Sequence, residues 1–325
     1  MGLESRWDGK KRYRLGKTLS EAHRTYAARV EPVPGDLNTM GKLFDRYALE
    51  ELPKKAPATQ ESNTAALKRL KAVFGDMDPT QFEPVHAYGY RDRRGKQAPT
   101  AANRELEVLS HTFTKAIEWG VIKRHPMIEG KFRKIHTPPR DRYIEDWELQ
   151  EALNLKPYRT KGSVLVIQAY LGVKLLTGRR RVELLGLKVA DCGENGPVFT
   201  LAKQKQSKLK TVSMEWSEAL RAAIDKALSV RPVDISPWVF CDRFGKPYLQ
   251  EDGQVSDGWD SMWQRFMDRV MKETKVTDRF TEHDLRAKCA TDAESLARAQ
   301  ELLQHTDPAT TKRVYRRRER VKPLR

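Results

Sequence analysis

Two stretches decide the fold of this chain: Thr177-Gly178-Arg179-Arg180, followed by Glu183, and His283-Asp284-Leu285-Arg286, followed by His305 and Tyr315. Two guanidinium groups can each hold the non-bridging oxygens of one phosphate through paired N–H groups, which lysine cannot do. A phenol can replace the leaving sugar oxygen of a phosphodiester in a covalent intermediate. The set indicates phosphodiester chemistry, with Tyr315 as the candidate nucleophile.

The length and charge of the chain indicate a globular protein with a polyanionic partner. Its 325 residues are enough for two domains with separate cores. The 61 Lys and Arg residues exceed the 44 Asp and Glu residues and leave a formal net charge of +17. Such a surplus is most simply explained by a polyanion. Nucleic acid is the leading partner, and an anionic membrane is the second.

The most apolar stretch, Ser163 to Leu176, does not fit a membrane span. It is shorter than the roughly 20 residues that cross a bilayer, and Gln168 and Lys174 interrupt it. We expect a buried helix there. Residues 1–16 are charged and lack the apolar core of a secretory signal. The expected protein is cytoplasmic and associated with the nucleoid, with no membrane partner.

The sequence gives no support for a metal site or another cofactor. Cys192, Cys241 and Cys289 are odd in number, widely separated and without a C-x-x-C spacing, so we interpret them as reduced packing residues. There is no Gly-rich phosphate loop and no carboxylate cluster for Mg²⁺. A phosphoryl-transfer enzyme built from this chain is expected to work without a metal ion or cofactor.

Changes in composition divide the chain into four segments. Residues 1–34 form a basic and aromatic arm, either a reduced DNA-binding element or a disordered arm. Residues 35–130 have helical periodicity throughout and predict an all-α bundle. Residues 131–142 are basic and contain prolines, as expected for a linker that crosses a phosphate backbone. Residues 143–325 form the second domain.

The first domain is predicted to consist of helices. They run from Asn38 or Thr39 to Leu52, from Gln60 to Phe74 with Gly75 as a left-handed cap, from Asp78-Pro79 onward, and from Pro99 to Val121. The last helix has one buried face at three-and-four spacing, formed by Leu106, Leu109, Phe113, Ala116 and Ile117.

The second domain is predicted to be mainly α with a small antiparallel β-sheet. Alternating residues predict strands at 198–201 and 211–214. The predicted helices cover residues 144–154, 163–176, 181–187, 216–229, 254–274, 282–297 and 299–305. The fold class is therefore an α+β domain preceded by a helical bundle.

The pattern resembles the tyrosine site-specific recombinases, the family of phage integrases. Its elements are Thr177-Gly178-x-Arg180-x-x-Glu183-Leu184, a basic turn with Lys205, His283-x-x-Arg286, His305 and Tyr315. The sequence reads Leu303-Gln304-His305 where the family has Leu-Gly-His, and the run from Arg286 to His305 is shorter than in many members. The resemblance covers about 177 to 317 strongly and 37 to 142 moderately.

The resemblance implies a role for each matching residue. Arg180 and Arg286 would clamp the scissile phosphate, and Glu183 would orient an arginine. His283 and His305 would assist by hydrogen bonding and proton transfer. Asp307 and Pro308 predict a short helix that delivers Tyr315. Lys205 would be the general acid that protonates the departing 5′-oxygen, with Lys208 as the alternative.

The implied activity is strand exchange through a 3′-phosphotyrosyl intermediate, for integration or excision of a phage or other mobile element. The implied partners are double-stranded DNA with specific recombination sites, a homotetramer on synapsed DNA and accessory DNA-bending proteins. The basic tail from Arg316 to Lys322 is either a solvated tail or a segment that docks on a neighbouring protomer and gates Tyr315. Candidate DNA contacts are Lys131, Arg133, Lys134, Arg140, Arg179 and Lys208.

Two other functions use the same residues or the same fold. A type IB topoisomerase-like enzyme would nick and rejoin one duplex, and it would relax supercoiled plasmid without paired sites. A DNA-binding regulator could keep the fold without the chemistry. The presence of every catalytic residue type argues against the regulator, and the helical domain together with the short chain favours the recombinase.

Overall fold

The computed structural model describes residues 3–6, 12–16, 18, 21, 37–201, 211–250, 253–305 and 307–318. It divides into two compact units, Met1–Pro138 and Pro139–Arg325. The division lies within residues 131–142, the segment for which the sequence predicts a linker.

The first unit begins with a two-stranded hairpin and continues as helices. In the hairpin, β1 (Leu3–Arg6) pairs antiparallel with β2 (Arg12–Gly16). The sequence did not predict this hairpin, and most of the predicted arm at 1–34 lies outside the described residues. The helices are α1 (Met40–Glu50), α2 (Pro57–Phe74), α3 (Pro84–Gly95), α4 (Pro99–Glu118) and α5 (Pro126–Glu129), with short 3₁₀ turns at Leu52–Lys54 and Pro79–Gln81.

The core of the first unit forms around α4. Leu106, Leu109, Phe113 and Ala116 are buried there, as their spacing predicts. The prediction for Ile117 was wrong, because its side chain is 39% exposed. The buried face extends to its other side, through Glu105, Val108 and Thr112, which leaves Ile117 at its edge.

Gly75 ends α2, but not in the left-handed conformation that the sequence predicts. Its φ is −53°, in the right-handed region. The C-terminus of α2 instead meets the N-terminus of α1 closely, since the backbone N–H of Gly41 donates to the Gly75 carbonyl at 2.8 Å. A Cβ on Gly41 would lie 3.0 Å from that carbonyl oxygen. The glycines serve this close approach.

The second unit contains the predicted small sheet among helices. Its helices are α6 (Asp146–Leu153), α7 (Ser163–Thr177), α8 (Arg181–Leu185), α9 (Glu218–Ser229), α10 (Asp257–Glu273), α11 (Glu282–Asp292), α12 (Leu296–Leu303) and α13 (Pro308–Thr310). The sheet has the order β3 (Cys192–Gly193), β4 (Gly196–Thr200), β5 (Thr211–Ser213), all antiparallel. The predicted fold class is confirmed.

The most apolar helix, α7, lies in the core of the second unit. The Tyr170 ring packs edge-on against Trp259 of α10, with centroids 4.7 Å apart. Within the described ranges, no helix has the length and apolar character needed to cross a membrane.

The segment between Arg286 and His305 differs from the predicted boundaries. One helix was expected at 282–297 and another at 299–305. The structure ends α11 at Asp292 and starts α12 at Leu296, because the Ser295 side chain caps α12 by accepting from the Arg298 N–H. This shortened helix–turn–helix brings α12 back against α11.

Candidate active site

The turn between α7 and α8 is fixed by glycine. Gly178 adopts φ +60°, in the left-handed region. A Cβ at this position would lie 2.9 Å from Leu303 Cδ2 and 3.0 Å from Cys289 Sγ. Glycine is therefore required by the backbone conformation and by the close packing on α11 and α12.

Arg180 and Glu183 form a closed pair at the start of α8. Arg180 Nη1 donates to Glu183 Oε1 at 2.8 Å, and the Arg180 backbone N–H donates to Oε2 at 2.9 Å. Burial opposes ionisation of Glu183, but these hydrogen bonds and the charges of Arg180 and Arg179 outweigh it and hold the pKa of Glu183 below its usual range. The geometry fits the predicted support of Arg180 by an ionised carboxylate.

Arg179 is placed differently from its predicted role as a DNA contact. Its side chain is 1% exposed, with Nε donating to the Thr177 carbonyl at 3.3 Å. Within the described residues, its Nη1 is buried without a hydrogen-bond partner. Burial lowers the pKa of Arg179 to about 10. The sequence pattern singled out Arg180 as the clamp and left Arg179 as a DNA contact, whereas the turn at Gly178 sends Arg179 inward and leaves Arg180 at a cleft.

A cleft of about 740 Å³ in the second unit brings the predicted residues together. Arg180, His283, Arg286 and Tyr315 all line it. His283 and Arg286 lie three residues apart on α11 and reach the same cleft, as the spacing predicts.

Arg286 is a buried, fixed positive charge beside Tyr315. It donates through Nη1 to the Gly178 carbonyl and through Nη2 to the Leu303 carbonyl, the latter at 2.7 Å. Its Cζ lies 5.5 Å from the centre of the Tyr315 ring. Burial, then the charge of Arg180, lower the pKa of Arg286, but a guanidinium stays charged in proteins. Because backbone carbonyls hold it, its position is set before a substrate arrives.

Tyr315 lies between the two histidines. The centre of its ring is 5.0 Å from that of His283 and 4.7 Å from that of His305. Burial, then the charge of Arg286, lower the pKa of both histidines, that of His305 to about 4. His305 is therefore neutral at pH 7.

The hydrogen bonds of His305 determine which nitrogen carries its proton. Nε2 lies 3.1 Å from Arg286 Nη2, which can only donate, so Nε2 accepts. Nδ1 lies 2.8 Å from the Thr311 hydroxyl and carries the proton of the neutral ring. In this state Nε2 has no proton to give to a phosphate, so the predicted donation from His305 requires a second proton.

A short helix delivers Tyr315 to the cleft, as the sequence predicts. The Asp307 side chain caps α13 by accepting from the Ala309 N–H at 2.9 Å, and Pro308 takes the first helical position. One wide π turn, Thr311–Tyr315, follows and ends at the tyrosine.

Gln304 forms the turn for which the resembling family uses glycine. It ends α12 with φ +51° and ψ +48°, in the left-handed region. A side chain there costs roughly 1–2 kcal/mol relative to the right-handed region. The chain therefore forms the turn before His305 even though glutamine rather than glycine occupies this position.

Replacing Gln304 with glycine is expected to stabilise the second unit by about 1 kcal/mol, because glycine adopts this conformation without strain. Thermal unfolding should shift upward by roughly 2–4 °C. The matched control is Ala297→Gly in the same helix, where the exposed residue has ordinary helical geometry and glycine should cost about 1 kcal/mol. Equal losses in both variants would contradict the left-handed turn.

The remaining predicted residues lie apart from the cleft or outside the described residues. Lys205 and Lys208 fall within residues 202–210, which the structure does not describe. Lys131 and Arg133 are exposed on the first unit. Lys134 pairs with Glu107 at 2.5 Å, and Arg140, on the second unit, pairs with Asp284 at 2.9 Å.

Lys174 is a cleft residue, although in the sequence it was interpreted only as an interruption of an apolar helix. Its side chain is 2% exposed and lines the cleft. Nζ donates to the Arg179 carbonyl at 2.9 Å. Burial lowers the pKa of Lys174 to about 8. A lysine one turn before the arginine run, inside an otherwise apolar helix, was the signal that could have found it.

Comparison with known proteins identifies the family. Residues 145–320 match the model of the phage integrase family. The chain belongs to the phage integrase family. It is a tyrosine recombinase, an enzyme that breaks and rejoins DNA strands in site-specific recombination. The predicted resemblance is confirmed, and the topoisomerase-like and regulatory alternatives are not favoured. No curated protein sequence matches the chain.

Solved structures share the fold of this integrase at low sequence identity. A lambda integrase tetramer bound to a Holliday junction has a TM-score of 0.67 at 16% identity, covering 100% of this chain and 95% of that one. A dimer of lambda integrase residues 75–356 bound to a COC′ core site has a TM-score of 0.71 at 17% identity, covering 88% and 100%. The Tn1549 transposon integrase in complex with circular intermediate DNA has a TM-score of 0.65 at 15% identity, covering 84% and 94%.

Proposed function

We propose that Tyr315 is the nucleophile of a site-specific integrase whose active site is the cleft of the second unit. One observation carries this assignment: the Tyr315 ring lies between His283 and His305, against the charge of Arg286, in the cleft that Arg180 also lines. Both arginines are held before DNA arrives. A phosphate in this cleft therefore meets preorganised positive charge beside the phenol.

The proposed reaction conserves the energy of the DNA backbone. The Tyr315 oxygen attacks the scissile phosphorus, a 3′-phosphotyrosyl bond forms, and the bond to the 5′-oxygen breaks. Arg180 and Arg286 stabilise the charge that builds on the non-bridging oxygens. Lys205, or Lys208 in its place, protonates the departing 5′-oxygen. The 5′-hydroxyl of a partner strand then reverses the attack, so no ATP is consumed.

The histidines respond to the substrate through the charge of the cleft. Arginine charges contribute to the low pKa of His305, and a bound phosphate opposes those charges. Phosphate entry therefore raises the pKa of His305, and protonated Nε2 can then donate to a phosphate oxygen. His283 is neutralised by the same causes and lies beside the phenol, where it can accept the proton of Tyr315.

The proposed substrate is double-stranded DNA with specific recombination sites. The similar lambda and Tn1549 integrases are described in complexes with DNA, one of them a tetramer on a Holliday junction. We extend both properties to this chain as a homotetramer on synapsed DNA, assisted by accessory DNA-bending proteins. The net charge of +17 supports contacts of both units with DNA phosphates, including contacts by exposed Lys131 and Arg133. The proposed role is integration or excision of a phage or other mobile element, at the nucleoid.

The experiment that tests this function is a covalent trap. A duplex carrying the element's recombination site is nicked next to the cleavage position, so that the short 5′-product diffuses away and the protein stays attached. The expected result is a protein–DNA adduct whose proteolytic peptide, mapped by mass spectrometry, carries the nucleotide on Tyr315. An adduct on another residue would overturn the nucleophile, and the lack of any adduct would overturn the reaction.

A further inference from the structure

Helix α11 supplies two cleft residues and also contacts the residues that follow Tyr315 in the chain. His283 and Arg286 line the cleft. Asp284 and Thr291 of the same helix instead contact the segment that follows the nucleophile. Neither contact is used in the chemistry described above.

Asp284 and Arg317 form a buried ion pair. Arg317 Nη1 lies 2.6 Å from Asp284 Oδ1, with the two side chains 4% and 0% exposed. Arg317 Nη1 also donates to the carbonyl of Arg142. A pair this well buried is screened little by solvent or salt. It therefore anchors the tail two residues after Tyr315.

Thr291 holds the backbone at the same place. Its hydroxyl oxygen accepts from the Arg317 N–H at 3.0 Å and lies 3.0 Å from the Tyr315 carbonyl oxygen. The two contacts fix the peptide units on either side of Arg316. The end of the tyrosine turn is thus attached to α11 by a side chain pair and by backbone contacts.

The Asp284 carboxylate is ionised and fully engaged. Burial opposes ionisation, but hydrogen bonds from Arg317 and Thr281 and the charge of Arg140 outweigh it and hold the pKa of Asp284 below its usual range. Oδ2 accepts from the Thr281 N–H at 2.8 Å, which caps α11. The contact with Arg317 is separate from this capping role.

We propose that Asp284 is a positioning residue that holds Tyr315 in the cleft of its own chain by binding Arg317. The proposal rests on Tyr315 being the nucleophile. It implies that the tail up to Arg318 is docked in cis, where Arg318 also pairs with Glu145. Without the ion pair, the end of the tyrosine turn loses its buried side-chain anchor and depends on the backbone contacts with Thr291, while its start is held by α13 and by the His305 contact with Thr311.

The test compares Asp284→Asn, Arg317→Met and the double variant in the full-length protein at saturating nicked DNA. Asparagine keeps the capping geometry but not the charge. Each single variant is expected to form adduct roughly ten- to hundredfold more slowly, because a small misplacement of a reacting group has that effect. The double variant should be no slower than the slower single variant, because both changes remove the contact between Asp284 and Arg317, and Asp284→Asn alone also weakens the pair with Arg140. DNA affinity by gel shift should stay unchanged.

A second readout needs no DNA. Trypsin should cut after Arg316 faster in both single variants, because the released backbone becomes accessible. The matched control is Asp225→Asn, the same change at an exposed position of α9, for which wild-type cleavage and proteolysis are expected.

Wild-type rates in Arg317→Met, or additive losses in the double variant, would overturn the inference. If Asp284→Asn lowers the melting temperature strongly, Arg317→Met decides alone, because it leaves the α11 cap intact. An adduct on Tyr315 with unaffected variants overturns only the positioning role. A wild-type protein without adduct overturns the proposed function as well.

Discussion

The Tyr315→Phe variant is expected to form no covalent adduct with nicked DNA and to recombine nothing. Phenylalanine keeps the ring between His283 and His305 but lacks the attacking oxygen. Removing the nucleophile of an enzyme costs on the order of 10⁴- to 10⁶-fold in rate. Because only one hydroxyl is lost, DNA affinity and thermal stability should match the wild type.

The matched control for this variant is Tyr158→Phe. Tyr158 is 77% exposed, and its hydroxyl donates to Glu273 on the protein surface. Wild-type adduct yield is expected there. If Tyr315→Phe still forms an adduct, a different residue attacks the phosphate and the role assigned to the π turn at Thr311–Tyr315 is wrong.

Most of the cleft was predictable because its residues occur in short local patterns. The three-residue spacing of His283 and Arg286 is sufficient to place them on one face of a helix. Asp307 and Pro308 are local helix signals, and they lead to Tyr315 in the structure as they do in the sequence. Arg180 was separable from its neighbours only by its place after Thr177-Gly178.

The remaining features depend on tertiary contacts that no local pattern contains. Burial of Arg179 follows from the turn at Gly178 packing on α11 and α12. The contact between Asp284 and Arg317 joins residues 33 positions apart. The proton on His305 Nδ1 is set by Arg286 and Thr311 together. Each is a consequence of packing between elements rather than of the residues alone.

The fold also has features that local sequence predicts and features that depend on tertiary contacts. Helix existence and type followed from periodicity and capping residues, so α4 and α7 lie close to their predicted bounds. The conformation of Gly75 could not be predicted in this way, because Gly75 contacts Gly41 of another helix. Local propensity is a weak constraint where two elements meet.

Replacing Arg286 with lysine is expected to slow adduct formation by on the order of 10²- to 10³-fold, the effect of losing one preorganised charge contact. Lysine keeps the charge, but one ammonium group cannot bond the Gly178 and Leu303 carbonyls and still present paired N–H groups to a phosphate. The matched control is Arg265→Lys on α10, where the arginine is exposed, and wild-type rates are expected. Adduct formation within threefold of wild type in Arg286→Lys would contradict the clamp.

The neutral variant Arg286→Met separates the charge of Arg286 from its geometry. Burial and then the Arg286 charge depress the pKa of His305 to about 4, so removing that charge should raise the pKa towards its ordinary value. His305 would then take up its second proton at higher pH than in the wild type, while cleavage still falls because the phosphate clamp is lost. NMR titration of the His305 ring measures the shift, and thermal unfolding at pH 7 checks that the fold persists. An unchanged His305 midpoint would show that the Arg286 charge does not lower the pKa of this ring, and the proposed rise of its pKa on phosphate entry would lose its largest electrostatic contribution.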